Sequence, residues 1–390
     1  MTGAFVVVCC FLGFVVLGAT QSLYGPAVPA FLRDFHVSDQ VASYALAAHF
    51  IGGSLGVLLY ARLRRSVGVR VLVATSYATM AVGALGFAAS PSWAACIAAA
   101  LVLGLGFGGI DYGLNGLAAA DKSPRGTALL NVLNACFGAG AIGGPWLLSA
   151  LGDGSYRVAF GGCAAVAPAL ALATVARSPA SPLSRSARES ASQPAPSPRP
   201  PSRGTFIVVA GFIAFYVIHV GIEVGVGGWE PTHLIRIGYS ATSADQATAA
   251  FWFAMTAGRL LVVPLVRHVP PRLLVTGCFA GMTAALLTAT VAPLAPASYV
   301  VVGLFIAPIF PTGLPWLLDV APGVSGAMAW VFAASMLGGV IVPPALGAAI
   351  ALIGAPWLPV CLAALSAAGL LVCVALILAG TASTRSGLAT

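Results

Sequence analysis

Charge is what this sequence has least of. Charged side chains make up only 7% of its 390 residues, against the roughly 25% usual in soluble domains. Apolar residues make up 59% and mean hydropathy is +0.98, which excludes a single water-soluble core. The pattern GxxxxGK[ST], whose backbone amides would cradle a nucleotide's phosphates, does not occur. The eight cysteines are scattered singly apart from Cys9-Cys10, with no CxxC or Cys/His grouping for a metal or a disulfide framework. They read as small core-filling side chains. No Ser/His/Asp, His-rich or multi-carboxylate constellation suggests an enzyme, and neither a cofactor nor a metal is expected.

What the chain does contain is apolar sequence in long runs. Its length accommodates about a dozen spans of ~20 residues, each enough to cross a hydrocarbon core. The runs predict helices at 4–32, 40–62, 69–89, 93–119, 125–151 and 157–176, then at 205–235, 243–267, 271–293, 296–319, 323–352 and 355–380. The first run has no basic leader and is too long for the apolar core of a signal peptide, so it reads as a span. The net charge of +8 is topological rather than a nucleic-acid footprint. Arg62, Arg64, Arg65, Arg70, Lys122, Arg125, Arg267 and Arg272 fall in even-numbered loops, as do the arginines of the central segment, and Arg385 lies in the tail. Only Arg33, Arg157 and Arg236 fall on the other side. That asymmetry predicts a multi-pass protein of the cell membrane with both termini in the cytoplasm.

One segment interrupts the pattern. Residues 177–204 are rich in Ser, Pro and Arg and hold no apolar run, so a disordered cytoplasmic linker is expected there. It separates residues 1–176 from 205–390, each with six predicted spans. The predicted fold is therefore all-α and integral to the membrane, with twelve transmembrane helices in two six-helix bundles. Many secondary transporters are built from such repeats, with the site at the midplane between them. The Gly/Pro-rich stretches 138–145 and 338–344 occupy corresponding places in the fifth and eleventh spans. They read either as mobile gating helices or as close helix packing.

Polar residues at membrane depth carry the functional reading. Asp111 lies in an otherwise apolar run, where a carboxylate costs about 2.5–3.5 kcal/mol on insertion scales unless it faces protein or water. Desolvation disfavours a carboxylate's charged form, so Asp111 reads as a proton carrier, or else as a structural acid held by amide donors. Asn115 shares its helix face, and Asn131 and Asn134 share a face in the next span. These amides line a solute path or bond neighbouring helices. In the seventh span His219, Glu223 and Glu230 return to one face, and the glycines of Gly225-Val-Gly-Gly-Trp229 are expected to break the helix and expose its backbone. Trp229 beside carboxylates suits a sugar or a cation, or belongs to an interfacial aromatic belt. Glu230, near the outer end, is a ligand or a solvated interfacial acid. Arg259 needs a counter-charge or a water route, and Asp319 is the candidate partner. Gln21, Tyr24 and Trp316 are further cavity candidates.

These residues bring out a resemblance. The segments Gly104-Leu-Gly-Phe-Gly-Gly-Ile-Asp111-Tyr-Gly-Leu-Asn115, Leu130-Asn131-Val-Leu-Asn134-Ala-Cys-Phe-Gly138, Gly258-Arg259, Gly303-Leu-Phe-Ile-Ala-Pro-Ile-Phe-Pro311-Thr312 and Gly338-Gly-Val-Ile-Val-Pro-Pro344 follow in the order of a major facilitator superfamily transporter. Over nearly its whole length the chain resembles the fucose–proton symporter family and its glucose-transporting relatives. The resemblance implies that Asp111, four residues before Asn115, takes part in proton coupling. The family's other acid lies in the first helix, where Gly25 stands here; Glu223 resembles a polar seventh-helix residue and is expected to act as second acid. The superfamily loop G-x-L-x-D-R-x-G-R-R is degenerate at 61–70, with Arg65 in place of the aspartate. Gly140-Ala-Ile-Gly-Gly144-Pro145 partly matches a motif of drug–proton antiporters.

The expected function is proton-coupled import of a small polar solute, a sugar or polyol, by alternating access. Asp111 and Glu223 would handle the proton. Asn115, Asn131, Asn134 and Trp229 would line the solute site, with Gln21, Tyr24, His219 and Trp316 as further candidates. Arg259, Glu230 and Asp319 would be gating or structural charges. Solute, protons and membrane lipids are the expected partners. Drug or metabolite efflux by proton antiport, and a non-transporting receptor or scaffold, are the alternatives.

Overall fold

The computed structural model describes residues 2–64, 66–120, 124–152, 155–175, 203–262, 265, 268–320 and 328–387. Residues 177–202 of the expected linker and Arg65 lie outside them, as does the side chain of Asn131, whereas residues 203 and 204 are already helical. The described chain is helical: α1 (Thr2–Ser22), α2 (Tyr24–Phe35), α3 (Asp39–Ala42), α4 (Tyr44–Leu63), α5 (Val69–Ala89), α6 (Trp93–Ala120), α7 (Pro124–Leu151), α8 (Tyr156–Val175), α9 (Arg203–Arg236), α10 (Ala241–Leu261), α11 (Pro271–Thr288), α12 (Ala295–Ile306), α13 (Ile309–Val320), α14 (Met328–Ser335), α15 (Leu337–Ile353) and α16 (Leu358–Gly387). Among the described residues ten helices are long and apolar enough to cross a membrane, eleven if the bent pair α1–α2 is one span. The predicted twelve-span pattern matches when α1–α2, α3–α4, α12–α13 and α14–α15 are each taken as one.

Proline explains two of these breaks. At Leu23 the first span bends by 45°, because Pro26 offers no N–H to the Ser22 carbonyl and its ring presses on that turn. Pro308 and Pro311 interrupt the tenth span in the same way, between α12 and α13. The ninth span ends at Thr288, short of the predicted 293, while beyond Leu261 of the eighth span Leu265 is again helical.

Packing repeats itself. In the first group the second span packs on the fourth, the first on the fifth and the third on the sixth. In the second group the eighth packs on the tenth, the seventh on the eleventh and the ninth on the twelfth. The contacts between groups obey the same rule: α7 meets α10, and α4 meets α15. Each half thus buries its apolar faces in one arrangement, used twice.

Glycine sets how closely the groups meet. The expected helix break at Gly225–Gly228 is absent, since α9 runs unbroken from Arg203 to Arg236. Those glycines serve contact instead. A methyl on Gly25 of α2 would come 3.0 Å from the Gly227 carbonyl carbon and 3.1 Å from Gly228 Cα, and one on Gly228 would come 3.1 Å from Leu46. Small residues let helix backbones approach this far. At the same end, away from the chain termini, a methyl on Gly347 of α15 would come 3.0 Å from Gln40 Cα, and Arg236 of α9 pairs with Asp39 of α3. The seam leaves a gap of about 10 Å³ beside Tyr24, Leu46 and Trp229, no more than one water's room. The stretches 138–145 and 338–344 likewise lie within continuous helix in α7 and α15.

Candidate functional site

Four helices, two from each group, converge on one polar cluster. Asp111 lies about 18 residues into α6 and Arg259 about 18 into α10. Both helices start at the end away from the termini, so the two side chains sit at a common depth, about 27 Å along at 1.5 Å per residue. One turn beyond Asp111, Asn115 Nδ2 donates to Asp111 Oδ1 at 2.8 Å. On α9, His219 Nε2 stands 3.6 Å from Glu223 Oε2. From α10, Arg259 Nη1 donates to Asn134 Oδ1 on α7 at 3.4 Å, which bridges the groups. Glu223 lies within electrostatic reach of both Asp111 and Arg259.

This is a coherent chemical set. Two carboxyls can exchange protons, two amides can bond hydroxyls, and a permanent cation faces them. Charges inside apolar helices persist where they offset one another. Asp111, Asn115, Asn134, Glu223 and Arg259 each keep some accessible surface, whereas His219 is enclosed.

Other expected site residues lie elsewhere. Trp229 is buried in the seam between groups, where its Nε1–H donates to the Pro343 carbonyl at 2.9 Å. Glu230 is not solvated: it is fully buried, because the outer half of α9 packs against α10 and α12. Thr248 and Tyr299 are its polar neighbours, and the Tyr299 hydroxyl lies 3.0 Å from His233 Nδ1. Tyr24 stacks edge-on against Phe87 and Phe160 in the core of the first group, its hydroxyl 3.4 Å from His49 Nδ1. Trp316 packs edge-on against Phe212 and Phe215 in the core of the second. Gln21 is half-buried on α1, and Asp319 is exposed at the end of α13. Among the described residues no ion pair joins Asp319 to Arg259, which meets Asn134 instead.

Two features escaped the sequence reading. The Glu230–His233–Tyr299 grouping joins helices distant in sequence. His49, fully buried, had a readable signal as an imidazole inside the apolar run 45–50. At Gly25 a side chain would strike the backbone of α9.

The sequence matches the family model described as Major Facilitator Superfamily over residues 10–296. A curated relative, the MFS thioclapurine efflux transporter of Claviceps purpurea (strain 20.1), is 28% identical over 151 residues, 38% of this chain and 28% of that protein. The chain thus spans little more than a quarter of that relative's length. Among solved structures, the partially occluded inward-open conformation of the xylose transporter XylE from E. coli superposes with TM-score 0.73 at 15% identity, covering 94% of this chain and 98% of that one. XylE in its inward-open conformation gives 0.75 at 14% identity, with 95% and 94% covered. A D-xylose–proton symporter gives 0.70 at 13%, with 95% and 96% covered. At these identities the likeness is one of fold.

Proposed function

The chain belongs to the Major Facilitator Superfamily, and from that premise we propose that it imports a small polar solute, a sugar or polyol, together with protons. Membership makes it a multi-pass membrane transporter rather than an enzyme; the solute and the coupling are our reading. One observation carries that reading: Asp111–Asn115, His219–Glu223 and Asn134–Arg259 face one another across the two groups.

The chemistry follows from where the charges sit. Asp111 rides on the first group, whereas Glu223 and Arg259 ride on the second, so rocking one group against the other alters their separations. Two unit charges 4 Å apart interact by about 4 kcal/mol at an effective dielectric of 20, so taking up a proton and changing conformation bias each other. A proton moving down 100 mV supplies about 2.3 kcal/mol. Asp111 carries it, Glu223 is the second acid, and Asn115, Asn131 and Asn134 bond solute hydroxyls. With residues 177–202 as a cytoplasmic linker and both termini in the cytoplasm, the sealed end faces outward. The arrangement then corresponds to a state closed to the outside.

The printed names of the structural neighbours, which mention xylose and protons, support import of a sugar. Export by antiport with the same acids is the second reading, supported by the name of the curated relative. Reconstituted protein under an inward proton gradient should accumulate labelled sugars or polyols. Asp111→Asn should abolish that accumulation yet preserve solute counterflow. Absence of any such uptake, with expressing cells gaining resistance to toxic compounds, would overturn the import reading in favour of efflux.

A further inference from the structure

We infer that the solute bears a carboxylate and that Arg259 is its anchor, a deepening that rests on the proton-coupled polyol reading. An arginine cannot give up its proton inside a protein, and at membrane depth it is paired or reaches a water-filled space. Among the described residues Arg259 makes one hydrogen bond, the long 3.4 Å contact to the neutral oxygen of Asn134. Among the described residues the ion pairs are Arg33–Asp34, His219–Glu223 and Arg236–Asp39, so no carboxylate touches it. Glu223, whose charge it feels, lies against His219 instead, at 3.6 Å.

Arg259 is only partly buried. Among the described residues, enclosed polar atoms without a hydrogen-bond partner include both ring nitrogens of His219 and Asn115 Oδ1, but no nitrogen of Arg259. A cation with a planar fork of donors, placed where the two groups meet, matches a carboxylate bidentately. The amides of Asn115 and Asn134 lie on the facing helices, suited to hydroxyls. The class of solute is therefore a small hydroxylated carboxylate, such as a sugar acid.

Charge balance ties this solute to the proton. Binding the solute adds one negative charge to a cluster that already holds Asp111 and Glu223 against Arg259. One proton taken by either acid restores the starting charge, whatever the state of His219, since that cancels in the difference. Solute and proton cross together as a neutral pair. Transport should then follow the pH gradient and ignore the membrane potential.

The test uses the full chain in liposomes, with radiolabelled gluconate, glucuronate and lactate beside glucose, xylose and sorbitol. Uptake is measured under a pH gradient at clamped zero potential, and under a potential at equal pH. At least one carboxylate should accumulate in the first condition and be unaffected by the second. Arg259→Gln should raise its KM by about 100-fold or more, and Arg259→Lys, which keeps charge without the fork, by less. Uptake of a neutral sugar or polyol with none of the carboxylates overturns the anchor while leaving the proton-coupled polyol reading intact. An unchanged KM in Arg259→Gln also overturns it. Neither class moving, by gradient or by counterflow, removes both readings. If Arg259→Gln does not fold, the wild-type panel and Arg259→Lys decide.

Discussion

Replacing Gly25 by alanine should open the sealed end of this transporter. The added methyl would collide with the carbonyl oxygen of Gly227 and sit 3.0 Å from its carbon and 3.1 Å from Gly228 Cα, tighter than nearly all real Cβ contacts. None of these atoms can rotate aside, so α2 and α9 must separate. Overpacking of this kind costs about 1–3 kcal/mol, and it falls on the closed state alone. Alanine's better helix propensity, about 1 kcal/mol, favours the open and closed states equally and cancels between them. At 1.4 kcal/mol per factor of ten, the open population should rise roughly 5- to 150-fold. Spin labels at Pro91→Cys and Pro293→Cys, both exposed in loops at that end of the two groups, would report the change as a longer distance. The partly accessible Cys136, Cys163 and Cys361 would first be replaced. Gly277→Ala is the control, because nothing lies within 4 Å of the added methyl; it should leave the distance alone and slightly raise stability. If Gly25→Ala behaves like that control, α2 and α9 are not in contact and the account of the seal is wrong.

The other expectations are smaller. Asp39→Asn breaks the contact with Arg236, which is partly exposed, so the same distance measurement should shift by only about 0.2–1 kcal/mol, less in high salt; an effect exceeding that of Gly25→Ala would contradict the reasoning. Trp229→Phe removes the 2.9 Å bond to the Pro343 carbonyl and should lower stability by about 0.5–1.5 kcal/mol, seen as a lower melting temperature in detergent. Ser366→Ala cuts the chain in which Thr283 donates to Ser366 at 2.8 Å and Ser366 to the Phe279 carbonyl at 3.1 Å. Since that chain lies within the second group, it should cost roughly 0.6 kcal/mol without moving the spin-label distance.

Local patterns were legible because helical geometry makes them local. The 69–89 span was readable to the residue, and the pairs Asp111–Asn115 and His219–Glu223 follow from four-residue spacing alone. Proline was legible only in part. Pro26 and Pro308 mark real breaks, yet Pro145, Pro168 and Pro231 lie inside continuous helices. Whether a proline interrupts a span depends on what its neighbours supply to the freed carbonyl. The glycines before Trp229 posed the same ambiguity, since a residue without a side chain permits a break or a close approach, and only the facing helix selects between them.

By itself, the amino-acid order determined that this protein is a set of apolar helices in two similar halves, and which polar side chains share a helix face. Those properties depend on composition and on a 3.6-residue period, both contained within a single segment. The tertiary structure decided what meets across segments: Arg259 with Asn134 rather than Asp319, Glu230 buried beside Tyr299 rather than wet, and Gly227 packed against Gly25 where a helix break was expected. Such partners are separated by tens to hundreds of residues, and packing of rigid helices, not spacing along the chain, brings them together.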